Sequence, residues 1–419
     1  MSSKHISNLL ISLAGRPVGK LATDSMGKIF FEYDAAWLAS GFDIAPYTIR
    51  FGSGVQAAAD NTFGGLHGPF YDSLPDGWGL LLMDRALKQD LGWPVHEITM
   101  LDRLAFIGCR AMGALEYQPE IQIDAEPPFD LAQLAANAEL VLEGAQGDVV
   151  QSLVIHGGSP GGARPKVTVA RHDANGTCVS GNAPLRSGFE HWLVKFRGKA
   201  DPIDAGRIEK AYAAMAELAG LHMPPTTLIE TAVNGRNEAY FAVKRFDRDG
   251  DVKIHMLSLC GHLHASHRVP SLDYDAVIAA TARLTESAVE AQKAFRLMVF
   301  NAVAYNRDDH SKNFSYLRTE SGWTLSPPYD LTMSYGMSGQ HTTAISGSGD
   351  PDRKDIERVA HVADIDDASA VIDAVVEATG YWSQLADEFG VTHDQKEEIG
   401  DAIERMRAKI GHHPGARIR

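Results

Sequence analysis

The sequence contains little cysteine and no long apolar run, and these two absences exclude several classes of protein. Its three cysteines, Cys109, Cys178 and Cys260, lie far apart and form no CxxC pair, so neither a disulfide framework nor a zinc knuckle is predicted. The apolar run at residues 9–13 is too short for a secretory signal or a membrane span. We therefore expect a protein of the reducing cytoplasm that does not associate with membranes.

Lysine and arginine are also few relative to the acidic residues. The 54 acidic residues outnumber the 39 lysines and arginines, which gives a formal net charge of −15. Because nucleic-acid phosphates are bound mainly by lysine and arginine, a broad DNA-binding surface is not expected, although a local basic patch or DNA contact through a partner is compatible with this charge. The length of 419 residues, with 44% apolar and 22% charged residues, is typical of a soluble protein of two or three domains.

The apolar pattern changes along the chain from strand-like to helical. In the first part, short apolar stretches bounded by glycine and proline, and the alternating run at 191–196, predict strands. In the second part, apolar residues recur at helical spacing, and in residues 287–305 this spacing predicts a core face formed by Phe295, Met298, Val299, Ala302 and Val303. We therefore predict an α+β fold with two lobes, the first β-rich with a small N-terminal β subdomain and the second mostly helical. Strands are expected at 9–13, 18–22, 28–33, 167–171, 191–196, 227–233 and 238–246, and helices at 78–88, 130–143, 287–305, 365–378 and 394–409.

The run NRDDHSKNF at residues 306–314 carries the most specific signal. Asp308 stands five positions before Asn313, and Asp330 follows after a short strand-and-turn segment. Phosphotransferases of the protein-kinase type need this arrangement, in which one carboxylate orients the attacking hydroxyl while an Asn and a second Asp hold magnesium at the phosphates. The spacing therefore predicts an enzyme that transfers a phosphoryl group from ATP, with Asp308 as its catalytic carboxylate and Asn313 and Asp330 as metal ligands.

Two other interpretations of this run stay open from the residues alone. Asp308 and Asn313 could cap turns of a polar surface loop, because Asp and Asn often do so. Asp308, Asp309 and His310 could belong to a metal hydrolase, but the run lacks a pair of histidines at helical spacing and a clear third protein ligand. The presence of the whole set after an apolar helix favours the phosphotransferase.

A glycine-rich segment, GGSPGGARPK at residues 157–166, precedes the strand predicted at 167–171. Glycines let backbone N–H groups approach a phosphate closely. The segment is neither a Walker A loop nor the GxGxxG loop of ordinary kinases, so a surface linker is the alternative. Ser159 within it is a hydroxyl close to a possible phosphate donor, and we regard it as a candidate autophosphorylation site.

Three further segments have weaker signals. Lys195 lies on the alternating strand, where it could reach the phosphates of a nucleotide or could simply be solvated. Asn234-Gly235 predicts a tight two-residue turn between the strands at 227–233 and 238–246. Residues 244–246 end this predicted hairpin at the connection between the lobes, and their backbone could border an adenine. The Gly- and aromatic-rich segment at 63–79 is interpreted as core and turns instead of a binding site.

Together these residues resemble the HipA family of serine/threonine kinases, the toxin half of HipA/HipB toxin–antitoxin modules. The resemblance covers nearly the whole chain, and the Asn-x-Asp-x-His-x-Lys-Asn-Phe pattern is highly specific to this family. It implies a protein-kinase-like fold with a HipA-type N-terminal subdomain at 1–120, the remainder of the N-lobe at 145–247 and a helical catalytic C-lobe at 248–419. The matching motifs are GRPVG at 15–19, LPDGWG at 74–79, RAMGAL at 110–115, SPGGARPK at 159–166, HWLVKF at 191–196, KRFDR at 244–248, NRDDHSKNF at 306–314 and YDL at 329–331.

The resemblance implies ATP and Mg²⁺ as cofactors and a role for each matching position. Asp308 would be the catalytic base or hydroxyl-orienting residue, and Asn313 and Asp330 would bind Mg²⁺. Ser159 would be the serine that such kinases phosphorylate on themselves, which would pull the loop out of the ATP site and silence the enzyme. The implied ATP-binding residues are Gly161, Gly162, Ala163, Arg164, Pro165, Lys166, Lys195, Lys244, Arg245, Phe246, His310 and Lys312.

The resemblance also implies partners. Kinases of this family act on proteins of translation, notably aminoacyl-tRNA synthetases such as glutamyl-tRNA synthetase, and a small helix-turn-helix antitoxin of the HipB type carries the toxin onto operator DNA. We therefore expect a growth-arresting toxin of the persistence type. Two rivals are a small-molecule kinase on the same fold and a catalytically silent corepressor that acts with its antitoxin.

Overall fold

The computed structural model describes residues 5–121, 129–157 and 160–411. The chain divides into two compact units, the first made of Met1–Asp201 with Ile229–His264 and the second of Pro202–Leu228 with Ala265–Arg419. The first unit is rich in strands and the second in helices. Within the described ranges, no helix has the length and apolar character needed to cross a membrane.

A five-stranded antiparallel sheet opens the first unit, and the strands predicted at 9–13, 18–22 and 28–33 are confirmed within it. Ala14 and Gly15 form the turn between the first two strands, and both have positive φ, +49° and +73°, a conformation that glycine adopts without steric cost. The elements are β1 (Asn8–Leu13), β2 (Arg16–Thr23), β3 (Ile29–Tyr33), α1 (Ala35–Ser40), β4 (Gln56–Ala57), α2 (Gly68–Asp72), α3 (Gly77–Leu91), α4 (Met100–Ile107) and β5 (Leu115–Gln118). The strand order is β4-β3-β2-β1-β5.

A second five-stranded sheet follows two helices and contains the other predicted strands. Asn234 and Gly235 join its last two strands with φ of +49° and +77°, as a two-residue hairpin turn of type I′ requires. The elements are α5 (Leu131–Leu142), α6 (Asp148–Gly157), β6 (Lys166–His172), β7 (Cys178–Ser180), β8 (Phe189–Lys195), α7 (Ala205–Leu218), β9 (Thr226–Val233) and β10 (Arg236–Lys244). The strand order is β7-β6-β8-β10-β9, and α7 belongs to the second unit.

The remaining elements complete both units. The first unit ends with β11 (Arg248–Asp249), β12 (Val252–Lys253), β13 (His255–Ser258) and α8 (Leu259–Leu263). The second unit adds to α7 the elements α9 (Tyr274–Thr285), α10 (Ala288–Val303), β14 (Ser315–Thr319), β15 (Gly322–Leu325), α11 (Arg353–Val362), α12 (Ala368–Thr379), α13 (Trp382–Phe389) and α14 (His393–Gly411). The helices predicted at 287–305, 365–378 and 394–409 correspond to α10, α12 and α14 within a few residues at each end.

Helix α10 forms the centre of the second unit. The five apolar residues placed on its core face by their spacing, Phe295, Met298, Val299, Ala302 and Val303, are all fully buried. The Ser287 side chain caps its first turn by accepting from the Glu290 N–H, which satisfies one of the unpaired amides of the helix start. A rigid, buried helix therefore precedes the loop that contains Asp308.

Candidate active site

Asn301, in the last turn of α10, fixes the direction in which the chain leaves this helix. The backbone N–H of Asn306 donates to the Asn301 carbonyl at 2.9 Å, and the Asn306 side-chain Nδ2 donates to Asn301 Oδ1, also at 2.9 Å. Both asparagines are buried, where an unpaired amide would be costly. The start of the Asp308 loop is therefore held by both the backbone and a side chain.

The side chains on either side of Asp308 point into the protein. Arg307 and Asp309 are 3% and 0% exposed, whereas Asp308 between them is exposed. A carboxylate that orients a substrate hydroxyl must be within reach of that hydroxyl. Accessibility therefore distinguishes the two adjacent aspartates, and Asp308 is the one that fits the catalytic role.

Asp309 anchors the loop to the protein interior. Its Oδ2 accepts from the Tyr274 hydroxyl at 2.9 Å and lies 2.8 Å from His341 Nδ1, while its Oδ1 accepts from the N–H groups of Thr342 and Thr343 at 2.9 and 3.2 Å. Several partners are what a fully buried carboxylate requires. The phosphotransferase motif gave no indication of this anchoring role, because the partners of Asp309 are 32 to 35 residues away along the chain.

Asn313 closes the loop onto Asp308. It ends a 3₁₀ turn formed by Ser311–Asn313, and its Nδ2 donates to the Asp308 carbonyl at 2.7 Å. Because Nδ2 is engaged in this bond, the side chain presents its other atom, Oδ1, as an acceptor. The five-residue spacing recognised in the sequence thus corresponds to a direct contact.

The Asp330 turn is attached to the same loop through its neighbour Tyr329. The Tyr329 hydroxyl donates to the Lys312 carbonyl and lies 2.6 Å from Ser315 Oγ. Asp330 itself has a φ of +57°, a left-handed conformation that costs free energy outside glycine and that often occurs at functional sites. The β14–β15 hairpin and this turn together return the chain to the segment that contains Asn313.

Asn313 and Asp330 provide oxygen donors of the kind that magnesium prefers. Within the residues that the structure describes, no group of three or more His, Cys, Asp or Glu side chains could hold a metal. Protein sites for Mg²⁺ commonly use one or two carboxylates, with water and phosphate oxygens as the other ligands. The amide oxygen of Asn313 and the carboxylate of Asp330 fit that requirement.

His310 and Lys312 share the loop with Asp308 and are both half-buried. The His310 ring centroid lies 5.8 Å from that of His267. Its Nδ1 is buried and has no hydrogen-bond partner among the described residues. The structure therefore brings together five of the predicted site residues on one loop and its adjoining turn: Asp308, His310, Lys312, Asn313 and Asp330.

The remaining predicted site residues belong to the first unit. The candidate modification site Ser159 lies outside the described residues, and the description of the glycine-rich loop resumes at Pro160. Gly161 and Ala163 are exposed, whereas Pro165 is buried where the loop enters β6. The middle of this loop thus faces solvent, and its end is fixed in the sheet.

Polar contacts hold this loop in its observed position. Arg164 pairs with Asp201 at 2.9 Å, and Lys166 Nζ donates to the Gly161 carbonyl. Lys166 is also the cross-strand partner of Lys195, where β6 pairs with β8. Two lysines predicted to bind ATP are therefore neighbours in the second sheet.

Lys195 is buried, and its ammonium lies 5.7 Å from the centroid of the Phe241 ring. Phe241 is its partner on β10. A cation at this distance from an aromatic face gains a modest attraction, which helps to orient the lysine. Lys244, at the end of β10, forms an ion pair with Glu190, and Phe246 is half-buried just beyond it.

Arg245 takes part in a buried ionic cluster. Its guanidinium donates two hydrogen bonds to Asp247 at 2.9 and 2.8 Å, and Arg248 and the Gly113 N–H donate to the same carboxylate at 2.7 and 2.8 Å. Burial raises the pKa of Asp247, but the two arginines and the Gly113 N–H lower it overall to below its ordinary value. The cluster joins two sequence motifs, RAMGAL and KRFDR. A nucleotide contact of the Arg245 side chain stays a prediction, and its guanidinium already pairs with Asp247.

The LPDGWG motif at 74–79 contacts the glycine-rich loop. The Gly162 N–H donates to the Asp76 carboxylate, and the Trp78 N–H donates to the Gly162 carbonyl at 3.2 Å. Asp76 stands at the N-cap of α3, yet its side chain makes no capping hydrogen bond. A Cβ on Gly77 would lie 2.8 Å from the backbone of the loop. The sequence predicted only core and turn residues in this motif, whereas in the structure it also contacts the glycine-rich loop.

Two family models match most of the chain. The model described as the HipA-like C-terminal domain matches residues 158–410, and the one described as the HipA N-terminal domain matches residues 9–118. A curated relative from Sinorhizobium fredii, "Putative kinase Y4mE", is 28% identical over 347 residues, which cover 76% of this chain and 75% of the relative.

A solved structure has the same fold. The chain is similar to one from the toxin–antitoxin complex of HipA, HipB and operator DNA of Shewanella oneidensis MR-1, with a TM-score of 0.66, 18% identity and 96% coverage of each chain. This similarity confirms the predicted α+β, protein-kinase-like fold class. Because the C-terminal model alone spans more than half of the sequence, the chain belongs to the HipA family.

Proposed function

We propose that this protein is an ATP- and magnesium-dependent serine/threonine protein kinase that acts as the toxin of a HipA/HipB-type module. The observation that supports the proposal most strongly is the exposed Asp308 between two buried, hydrogen-bonded neighbours, with Asn313 bonded to its carbonyl. Phosphoryl transfer depends chiefly on such positioning, because the protein itself does little covalent chemistry in it.

In the proposed reaction, Asp308 orients a serine or threonine hydroxyl and accepts its proton. The hydroxyl oxygen bonds to the γ-phosphorus of ATP while the bond from that phosphorus to the β,γ-bridging oxygen breaks, and ADP leaves. Asn313 and Asp330 would hold Mg²⁺, which, when bound, neutralises charge on the phosphates. The rigid support under the loop means that Asp308 needs little rearrangement to reach this geometry.

The other predicted residues would bind the nucleotide. Lys166 and Lys195 would pair with its phosphates, as would His310 and Lys312 of the Asp308 loop. Glycine-rich backbone at 161–163 would cover the phosphates, since N–H groups without a Cβ nearby approach them closely. The backbone of residues 244–246 would border the adenine.

The finer parts of the proposal concern the substrate and the partners. We propose a cytoplasmic protein whose target is a component of translation, of the aminoacyl-tRNA synthetase class. A HipB-like antitoxin would bind the toxin and carry it onto operator DNA, as in the Shewanella complex, where HipA is solved with HipB and operator DNA. Ser159 would be the autophosphorylation site.

The direct test is to incubate the purified chain with ATP and magnesium and to locate phosphate by intact-mass and peptide mass spectrometry. We expect phosphate on Ser159 in the wild type and none in Asp308→Asn. Asp394→Asn is a matched control, because Asp394 is an exposed aspartate in the first turn of α14, and it should behave as the wild type.

The outcomes separate the proposal from its rivals. ATP binding without phosphate on any protein would favour a small-molecule kinase, which a screen of hydroxylated metabolites with labelled ATP would detect. ATP binding without turnover of any substrate would favour a silent corepressor. Full phosphotransfer by Asp308→Asn would show that the assignment of the catalytic carboxylate is wrong.

A further inference from the structure

Arg307, the residue immediately before Asp308, is bonded by its backbone to the segment that follows Asp330. Its N–H donates to the Ser334 carbonyl at 3.3 Å, and its carbonyl accepts from the N–H and the hydroxyl of Thr342 at 3.0 and 3.2 Å. Residues 331–352 contain no helix or strand of their own. The conformation of this segment therefore depends on contacts with the rest of the second unit.

The Arg307 side chain also contacts this segment, through Asp350, whose own side chain is 54% exposed. Its guanidinium is 4% exposed and donates to the Asp350 carboxylate at 2.6 Å, in addition to a bond to the Gly339 carbonyl. The guanidinium carbon also lies 4.0 Å from the centroid of the Tyr305 ring. A buried cation of this kind needs an anionic partner, because an unpaired charge is costly to bury.

Asp350 is itself held in place by α14. Lys409 Nζ donates to the second carboxylate oxygen of Asp350 and to its backbone carbonyl, both at 2.7 Å. Burial raises the pKa of Asp350, but Lys409 and Arg307 lower it overall to below its ordinary value. The carboxylate is therefore charged at neutral pH, and it bridges two cations from separate parts of the unit.

Asp309 attaches the same segment on the other side of Asp308. Its carboxylate accepts from the N–H groups of Thr342 and Thr343, and its backbone carbonyl accepts from the Thr343 hydroxyl. The two residues that flank Asp308 thus both bind the segment. Its position and that of Asp308 are consequently coupled.

Protein kinases often order the segment after the metal-binding Asp by phosphorylation, which creates a new pair between a phosphate and an arginine. In this chain the Asp350 carboxylate already forms an ion pair with Arg307, as a phosphate would in those kinases. We propose that Arg307 is a positioning residue for Asp308, and that its ion pair with Asp350 holds the segment in the active arrangement without phosphorylation. The proposal rests on the kinase function proposed above.

The main test compares Asp350→Asn with Asp350→Glu in the full chain. We expect Asp350→Asn to lower kcat by about 10²-fold, since displacing a catalytic group by roughly 1 Å costs that much, while the KM for ATP stays unchanged. Asp350→Glu should recover most of the rate, because it restores the charge. Asp387→Asn removes an exposed ion pair with Lys396 in the same unit and should leave kcat unchanged.

Two readouts do not depend on turnover. Peptide mass spectrometry of the active wild type should find residues 331–352 without phosphate. Hydrogen–deuterium exchange should accelerate at Ser334 and Thr342 in Asp350→Asn but not in α12, whether or not the protein is a kinase. Absence of any phosphotransfer by the wild type would contradict the proposed function alone, since the exchange result would still decide the ordering role.

Three results would overturn the inference. These are an Asp350→Asn variant with wild-type kcat, exchange at residues 334–342 that does not respond to the substitution, and wild-type activity that appears only with phosphate on a serine or threonine of the segment.

Discussion

The Asp308 loop and the glycine-rich loop are held in different ways. In the Asp308 loop, Asp309 is completely buried, and its carboxylate contacts a phenol, an imidazole and two backbone N–H groups. The glycine-rich loop has exposed residues at its centre, and the side chains of Asp76 and Lys166 form hydrogen bonds with its backbone. The proposed catalytic carboxylate thus lies on a loop that is held by buried bonds, whereas the segment proposed to cover the nucleotide has an exposed centre.

The largest effect should follow from breaking the support below Asp308. Asp309→Ala would leave the Tyr274 hydroxyl and the Thr343 N–H buried without their acceptor, while the Thr342 N–H would keep its bond to the Arg307 carbonyl. We therefore expect a loss of about 3 kcal/mol in the free energy of unfolding of the second unit. Phosphotransfer should fall with it. Thermal and urea unfolding monitored on this unit measure the loss of stability. An unchanged free energy of unfolding would show that the contacts with Asp309 do not stabilise the loop.

The second prediction extends the comparison to the effect of pH on the unit that carries the glycine-rich loop. Burial is the largest cause that lowers the pKa of His67, the hydrogen bond to Gln56 raises it and the His264 charge lowers it, and together they place it at about 4. The unfolded chain, with a pKa near 6.5, binds more protons than the folded one between pH 6.5 and 4. The stability of this unit is therefore complete above pH 6.5 and falls by about 3 kcal/mol as the pH drops to 4.

His67→Gln tests the source of this acid sensitivity. The substitution removes the titrating group, so the free energy of unfolding of the first unit should change less between pH 6.5 and 4 than in the wild type. Urea unfolding at several pH values measures the difference. An identical pH dependence in the wild type and the variant would assign the acid sensitivity to another group.

The glycine-rich loop provides the third prediction. The Asp76 carboxylate accepts from the Gly162 N–H, so it occupies a donor that a phosphate oxygen would use, and the two anions compete. We expect Asp76→Ala to bind ATP about tenfold more tightly, because a hydrogen bond to a charged group contributes roughly 1.5–3 kcal/mol. Calorimetric titration of the purified chain with ATP measures this, and kcat should change little.

Matched variants sharpen this test. Glu32→Gln alters an exposed acidic residue of β3 in the same unit and should leave ATP affinity unchanged. Gly77→Ala places a Cβ 2.8 Å from the loop backbone at a φ of +41°, so it should also displace the loop and should act in the same direction as Asp76→Ala. Weaker ATP binding in Asp76→Ala would mean that Asp76 holds the loop in the conformation that binds the nucleotide.

The smallest effect should come from Tyr329→Phe. It removes one hydroxyl, which bonds to the Lys312 carbonyl and Ser315 Oγ, and so should cost about 1 kcal/mol of stability. The Asp330 turn would loosen while Asp308 stays fixed, so the magnesium concentration needed for half-maximal activity should rise. A magnesium titration of the phosphotransfer rate tests this. A half-maximal magnesium concentration equal to that of the wild type would contradict it.

Local patterns in the sequence predicted the parts of the structure that depend on neighbouring residues. The apolar spacing of α10 placed Phe295 and Met298 in the core, and the Asn234-Gly235 pair predicted a hairpin. The five-residue interval between Asp308 and Asn313 singled out two residues that the structure brings into contact. In each case the physical cause acts over a few residues, so it is visible in the order of the residues alone.

Contacts between distant residues could not be predicted in the same way. Nothing near Asp350 in the sequence indicates that its partner is Arg307, 43 residues earlier. The Asp76 contact with Gly162 spans 86 residues, and it takes the place of the local cap that an Asp before a helix usually provides. Likewise, the burial that distinguishes Asp309 from Asp308 depends on α9 and on residues 341–343, which the motif does not include.

The alternation of buried and exposed side chains in the Asp308 loop also limits how its length can change in evolution. Insertion of one residue before Asp308 would move the Asp308 carboxylate into the buried position, and deletion of one residue would move Asp309 into the exposed position, as a one-residue slip inverts the faces of a strand. The order of residues within the motif and the Asp308–Asn313 spacing would be unchanged, but the buried position that Asp309 fills would hold a different residue. Homologues can therefore vary the side chains of this loop, whereas a change in its length by a single residue should be selected against.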